Sequence, residues 1–215
     1  MTDHTYHRYI SVSRRRRLTI SVIVVVFIIF LATFSILGGH RLSSAFGEAT
    51  SGDAIRMPAP NGLFTTTSDH NVHLASYISG HPTMVWFIAG GCASCAASIP
   101  AVSMHMRELA RDGIQVVTLG LYGAFPPGRQ GVVDLARFRI AAGGLGVIRP
   151  GWTWGVASKA LSLKYDLLGT PDEYFLVASN GRIAYKNSVP VSTMPSLLAA
   201  AKRISAVQGS KRGGQ

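Results

Sequence analysis

Cysteine is nearly absent from this chain: two residues in 215, Cys92 and Cys95. A four-cysteine zinc site would need two more, so that class is excluded. His70, His73, His81 and His105 could supply a mixed site, but none stands in the H-x₃₋₅-H spacing that usually follows the cysteines. Acidic residues are also few, 10 against 21 lysines and arginines, which leaves a formal net charge of +11. Such a surplus invites a nucleic-acid reading, but its distribution opposes it. Residues 1–17 hold five arginines against one aspartate, and residues 202–215 hold Lys202, Arg203, Lys211 and Arg212 with no acid. Residues 57–201 carry ten basic residues against seven acidic ones. The middle of the chain is thus only mildly basic. It shows no basic stripe with interleaved aromatics, so no nucleic-acid partner is expected. There is no internal repeat.

Leu18 to Leu37 is one uninterrupted run of 20 residues without a charge. About 20 apolar residues at 1.5 Å rise span a ~30 Å hydrocarbon core. The small residues Ser43-Ser44-Ala45 would suit a signal peptidase, but a cleaved signal has an apolar region of only ~7–15 residues. The run therefore reads as an uncleaved transmembrane signal-anchor. Arg8 and Arg14 to Arg17 precede it, whereas residues 38–56 balance Arg41 and Arg56 against Glu48 and Asp53. The positive-inside rule places the N-terminus in the cytoplasm and exports the chain beyond residue 38. The expected localisation is the cell membrane, single-pass. The expected organisation is a basic cytoplasmic N-terminus (1–17), the anchor (18–37), a linker (38–56), one domain (57–205) and a flexible basic tail (206–215).

The two cysteines form a C-x-x-C inside Phe87-Ile88-Ala89-Gly90-Gly91-Cys92-Ala93-Ser94-Cys95. Met84 to Ala89 is a short apolar run bounded by Pro82 and Gly90, the pattern of a buried strand. Ala96 to Ala110 is rich in Ala, Met and Leu and suits a helix. The cysteines thus fall at a strand-to-helix turn with Cys92 near the helix N-terminus. Unpaired backbone N–H groups and the helix dipole favour an anion there, which for cysteine is the thiolate. This placement can lower a thiol pKa from ~8.5 to roughly 3.5–7.5. A half zinc site, a structural disulfide and an inert thiol pair are the alternatives.

The segment resembles the active-site region of the thioredoxin superfamily: strand, C-x-x-C, helix, and Pro100 five residues after the second cysteine. A second marker lies downstream. Gly169-Thr170-Pro171 precedes an apolar strand (174–178), Asn180-Gly181 and a further strand (182–186), which resembles the superfamily's cis-proline loop and terminal hairpin. Asn-Gly between strands is also a type I′ turn signal in its own right. The long gap between Cys95 and Pro171 is similar to the TlpA/ResA type of membrane-anchored thioredoxin, with its inserted strand–helix unit. The resemblance covers roughly residues 57–205. It implies an α/β thioredoxin-like fold, a central mixed sheet flanked by helices, with an N-terminal hairpin over residues 62–74, preceded by one transmembrane helix. It further implies a thiol–disulfide oxidoreductase in which Cys92 attacks and Cys95 resolves. Pro171 would be cis, and Thr170 and Gly91 would contact substrate. No cofactor is required. The partners would be protein disulfides or dithiols and a membrane or extracytoplasmic thiol reductant or oxidant.

Between the markers, Ile114 to Gly120 reads as a strand, Val132 to Ala142 as the inserted amphipathic helix, and Val156 to Tyr165 as a further helix. Gly143 to Gly155 reads as a Gly-rich loop. Its Trp152 and Trp154 are packing anchors or, as a candidate substrate contact, an apolar rim beside the dithiol. Met194 to Ser205 reads as the last helix. The chain also departs from the family. Trp86 stands where plain thioredoxin has a buried Asp, six residues before the first cysteine. Ser98 stands where many TlpA/ResA-type proteins carry Glu, and Gly91 where the family usually has Trp. The carboxylate aids to proton removal that the resemblance implies are missing, so either water, Lys164, Asp172 or Glu173 does that task or exchange at Cys95 is slow. A peroxiredoxin is unexpected, because the Pro and Thr of its motif are absent. Two rival functions remain: a metal-binding or metal-delivery protein whose dithiol takes Cu(I) or Zn, and a non-enzymatic anchored adaptor with a structural disulfide.

Overall fold

The computed structural model describes residues 57–143, 150–165 and 169–212, with side chains to residue 207. The expected cytoplasmic segment, anchor and linker lie outside the described residues. Among the described residues, no helix is long and apolar enough to cross a membrane.

The elements in chain order are β1 (Leu63–Thr66), β2 (Asn71–His73), α1 (Ala75–Ile78), β3 (Thr83–Ile88), α2 (Ala93–Arg111), β4 (Gln115–Gly120) and α3 (Arg129–Ala141). Next come β5 (Trp152–Ala157), α4 (Lys159–Tyr165), β6 (Glu173–Val177), β7 (Ile183–Ser188) and α5 (Pro190–Arg212). The seven strands form one sheet in the order β2-β1-β5-β4-β3-β6-β7. β3, β4 and β5 run parallel, while β6 and β1 flank them antiparallel. This is the mixed sheet expected, with the N-terminal hairpin at one edge and the β6–β7 hairpin at the other.

Strand β3 holds the centre because all six of its residues are buried. A strand covered on both faces reads as a continuous apolar run rather than an alternation. Met84, Trp86 and Ile88 face a core shared with α2, α3 and α5, whereas Val85 and Phe87 face a second core with α1 and α4. Each large side chain removed from water in this way contributes about 1.5–3 kcal/mol.

Four sequence expectations change. Trp152 and Trp154 lie in a strand, β5, and not in a loop, and β5 also takes Val156 and Ala157, so the helix expected from Val156 begins only at Lys159. The alternation Trp-Thr-Trp is the period-two pattern of a strand, which the neighbouring glycines obscure. Gly155 is itself required there: a Cβ would lie 2.5 Å from Phe64 Cδ2 and 2.6 Å from the Thr65 carbonyl oxygen. The last helix starts at Pro190 and continues to Arg212, into the segment read as a tail. Finally, the 178–182 turn is not type I′, which needs positive φ at both central residues. Only Gly181 (φ 74°) has it, and the Asn180 side chain instead accepts from the Arg182 N–H.

Candidate redox site

Cys92 is the N-cap of α2, in extended conformation, and its sulfur accepts from the Cys95 N–H at 3.1 Å. The side chain of an N-cap commonly satisfies one of the first unpaired helix donors, and here sulfur takes that place. Cys92 is half-buried and Cys95 is fully buried, and the two are joined by a disulfide. Ser94 Oγ lies 3.3 Å from Cys92 Sγ. Gly91, just before Cys92, has φ 78° and open space where a side chain would be. The half-buried Cys92 is therefore flanked by bare backbone.

The chain after Thr170 is brought to the same place, as the second marker implies, but in a different geometry. No cis peptide bond occurs among the described residues, so the cis-Pro171 expectation is overturned. The loop turns instead through two left-handed residues, Gly169 (φ 67°) and Asp172 (φ 73°). It is held by the Asp172 N–H donating to the Phe87 carbonyl at 2.8 Å and the Val189 N–H donating to the Asp172 carbonyl at 2.8 Å. Aspartate tolerates this backbone region better than most residues. Thr170 is exposed immediately before Pro171.

This turn delivers the Asp172 side chain to the dithiol. Asp172 is 1% exposed, and a carboxylate oxygen and both cysteine sulfurs all lie within 4.8 Å of one another. Trp86 Nε1 donates to Asp172 Oδ1 at 2.9 Å, and Ser98 Oγ donates to Oδ2 at 3.4 Å. Ser98 Oγ also accepts from the Val191 N–H, in the first turn of α5, at 3.1 Å. Burial pushes the Asp172 carboxyl above its usual value, opposed in part by hydrogen bonds from Ser94, Trp86 and Ser98. The other two candidates for proton transfer are engaged elsewhere. Lys164 Nζ donates to the Asn61 carbonyl at 2.9 Å, and Glu173 pairs with Lys186 at 3.0 Å.

Trp152 and Trp154 do not line this site, contrary to the rim expectation. Trp152 is in register with Val116 and that residue with Met84, at the start of β3; Trp154 is level with Trp86. Cys92 lies past the opposite end of β3, beyond Ile88. The pair stacks at 4.9 Å in the core, 6% and 3% exposed, and Trp152 Nε1 donates to Thr118 Oγ1 at 2.8 Å. A groove of about 380 Å³ is lined by Ala89 from the segment between β3 and Cys92, by Gly169 from the Pro171 loop, and by Leu121, Tyr122, Lys159 and Leu163, among others; neither cysteine lines it.

Trp86 and Ser98 stand where the resemblance implies carboxylates, and the sequence does not reveal that each donates to one. Both can donate a hydrogen bond, and an aspartate directly after Pro171 was the signal that something remained for them to hold.

No family model matches this chain, and no curated protein matches it. Solved structures do match. A candidate protein disulfide isomerase from Bacteroides thetaiotaomicron is 16% identical, with 71% of this chain and 90% of that chain covered at a TM-score of 0.55. The thioredoxin domain of a thiol-disulfide oxidoreductase from Bacteroides vulgatus is 16% identical, with 67% and 98% covered at 0.51. BsSco, of the Sco family of cytochrome c oxidase assembly proteins, is 15% identical, with 72% and 96% covered at 0.53. At these identities the shared property is the fold. The described domain is thioredoxin-like.

Proposed function

We propose that the protein is a thiol–disulfide oxidoreductase that exchanges disulfides with protein substrates, tethered by residues 18–37 to the outer face of a membrane. One observation carries the redox reading: Cys92 and Cys95 form a disulfide at a helix N-terminus with one sulfur half-buried and the other fully buried. In the reduced form, the Cys92 thiolate attacks a substrate disulfide, and a mixed disulfide forms as the first substrate thiolate leaves. Cys95 then attacks Cys92 Sγ, releases the second substrate thiolate and restores the intramolecular disulfide. The substrate gains two electrons and the dithiol loses them. Run backwards, the same steps oxidise a substrate dithiol. The open space at Gly91 leaves room for a substrate segment next to Cys92, with the exposed Thr170 as the second proposed contact.

Catalysed reduction of insulin by dithiothreitol tests the reading. Turnover that depends on Cys92 supports it. Absence of turnover, with the disulfide inert to dithiothreitol, would leave the structural-disulfide adaptor. The tether rests on the arginine cluster before an apolar run of membrane-spanning length.

A further inference from the structure

The two positions at which related thioredoxins carry a carboxylate hold Trp86 and Ser98 here, and both of these side chains donate to the same third residue, Asp172. Asp172 comes from neither the active-site strand nor the active-site helix but from the turn before β6. We infer that Asp172 is the proton acceptor of Cys95, brought to the dithiol by the turn before β6, and that Trp86 and Ser98 are positioning residues that aim it. This rests on the dithiol reading of the site and adds the residue on which its second step depends.

The geometry supports the inference in three ways. A carboxylate oxygen of Asp172 and both sulfurs lie within 4.8 Å of one another, a separation that one bridging water or a small side-chain movement closes. Cys95 is sealed from bulk solvent, so its proton needs an acceptor inside the protein. Among the described residues, the titratable groups facing Asp172 are Cys92, the N-cap of α2, Cys95 of α2 and Tyr174 of β6; Glu173, next to it, turns away to Lys186 of β7. Among the described residues Asp172 has no lysine or arginine as a hydrogen-bond partner, and its three side-chain donors, Ser94, Trp86 and Ser98, are all neutral. A buried carboxylate held only by neutral donors keeps a high proton affinity, whereas a cation partner would suppress it. The N-terminus of α5 reaches it only through Ser98, by way of the Val191 N–H.

The step balances. The Cys95 thiol gives its proton to Asp172, the resulting thiolate attacks Cys92 Sγ, and the bond between Cys92 and the substrate sulfur breaks. The departing thiolate then takes up the proton. In the opposite direction Asp172 protonates Cys95 as it leaves the disulfide.

Stopped-flow reaction of the reduced protein with substoichiometric 5,5′-dithiobis(2-nitrobenzoate) separates the two steps. The first equivalent of coloured thiolate reports attack by Cys92 and the second reports resolution by Cys95. Asp172→Asn is expected to release the first equivalent no more slowly than wild type and the second about tenfold more slowly or worse, since general-base catalysis contributes ~10²–10⁴. The deficit should vanish at high pH, where Cys95 ionises unaided. Ser98→Ala keeps the base but removes a donor, so the midpoint of its second-phase pH profile should move to higher pH; a purely structural role would leave the midpoint in place. An Asp172→Asn second phase with wild-type rate and pH profile would overturn the assignment. Release of only one equivalent by the wild type would instead overturn the dithiol reading beneath it.

Discussion

Trp86 Nε1 donates to Asp172 Oδ1 at 2.9 Å, across 86 residues of sequence, and both side chains are buried. An indole has one N–H and no acceptor, so this contact satisfies Trp86 completely. It also fixes which way one carboxylate oxygen faces, beneath the dithiol on the central strand.

The cysteines should behave asymmetrically. Cys92→Ser removes the accessible sulfur at the helix N-terminus and should abolish attack on disulfides. Cys95→Ser should keep that attack and accumulate mixed disulfides, because the chain has no third cysteine to resolve them. Non-reducing gels after incubation with oxidised protein substrates distinguish the two. Equal insulin reduction by both variants and wild type would end the redox reading.

Asp172 should also leave a signature in stability against pH. Its folded-state pKa is raised by burial above the ordinary 3.8, so between the two values the native state binds more protons than the unfolded one. Stability from this group is therefore greatest below the ordinary value and declines as pH rises through the folded value. In the oxidised protein, Asp172→Asn should raise stability at neutral pH. The gain should shrink as the medium approaches pH ~4. Denaturant titrations at several pH values give the result, and a pH-independent loss would contradict the burial account.

Gly155→Ala should destabilise the domain by about 1–3 kcal/mol, the usual range for overpacking, because its Cβ would meet Phe64 and the Thr65 carbonyl. The site lies in β5 beside the hairpin strand, away from the sulfurs. Thermal unfolding should shift while the rate of Cys92 alkylation in the folded, reduced protein stays unchanged. A change in alkylation at unchanged stability would mean β5 is coupled to the dithiol.

Topology is open to direct test. A reporter fused after residue 56 should be exported, and the full chain should resist extraction from membranes at alkaline pH. A soluble form beginning near Phe46 would identify a cleaved signal instead.

Much of the domain was legible because the relevant signals are local. Thr83–Ile88 is a continuous apolar run and thus a strand buried on both faces, and Cys92 at a strand-to-helix turn is an N-cap. The elements that failed depended on long-range contacts. Trp152 and Trp154 come after a Gly-rich stretch, and only pairing with β4 places them level with Met84 and Trp86 of β3. Pro171 matched a motif, yet the backbone around it is set by Asp172 hydrogen-bonding to Phe87 and Val189, neither of which is near it in sequence. Asp172 could be named from sequence as one of three candidate proton carriers. Selecting it required seeing Lys164 and Glu173 engaged elsewhere.

Ser98 Oγ holds the first turn of α5 with its lone pair and the Asp172 carboxylate with its proton. The C-terminal helix is thereby wired to the chemistry as well as packed on the sheet. A load, a binding partner or a shortened chain that lifts Pro190–Val191 off α2 would withdraw the Val191 N–H, free the hydroxyl to turn, and detune the acid under Cys95 without touching either sulfur. One hydroxyl thus joins the start of α5 to the carboxylate beside the disulfide.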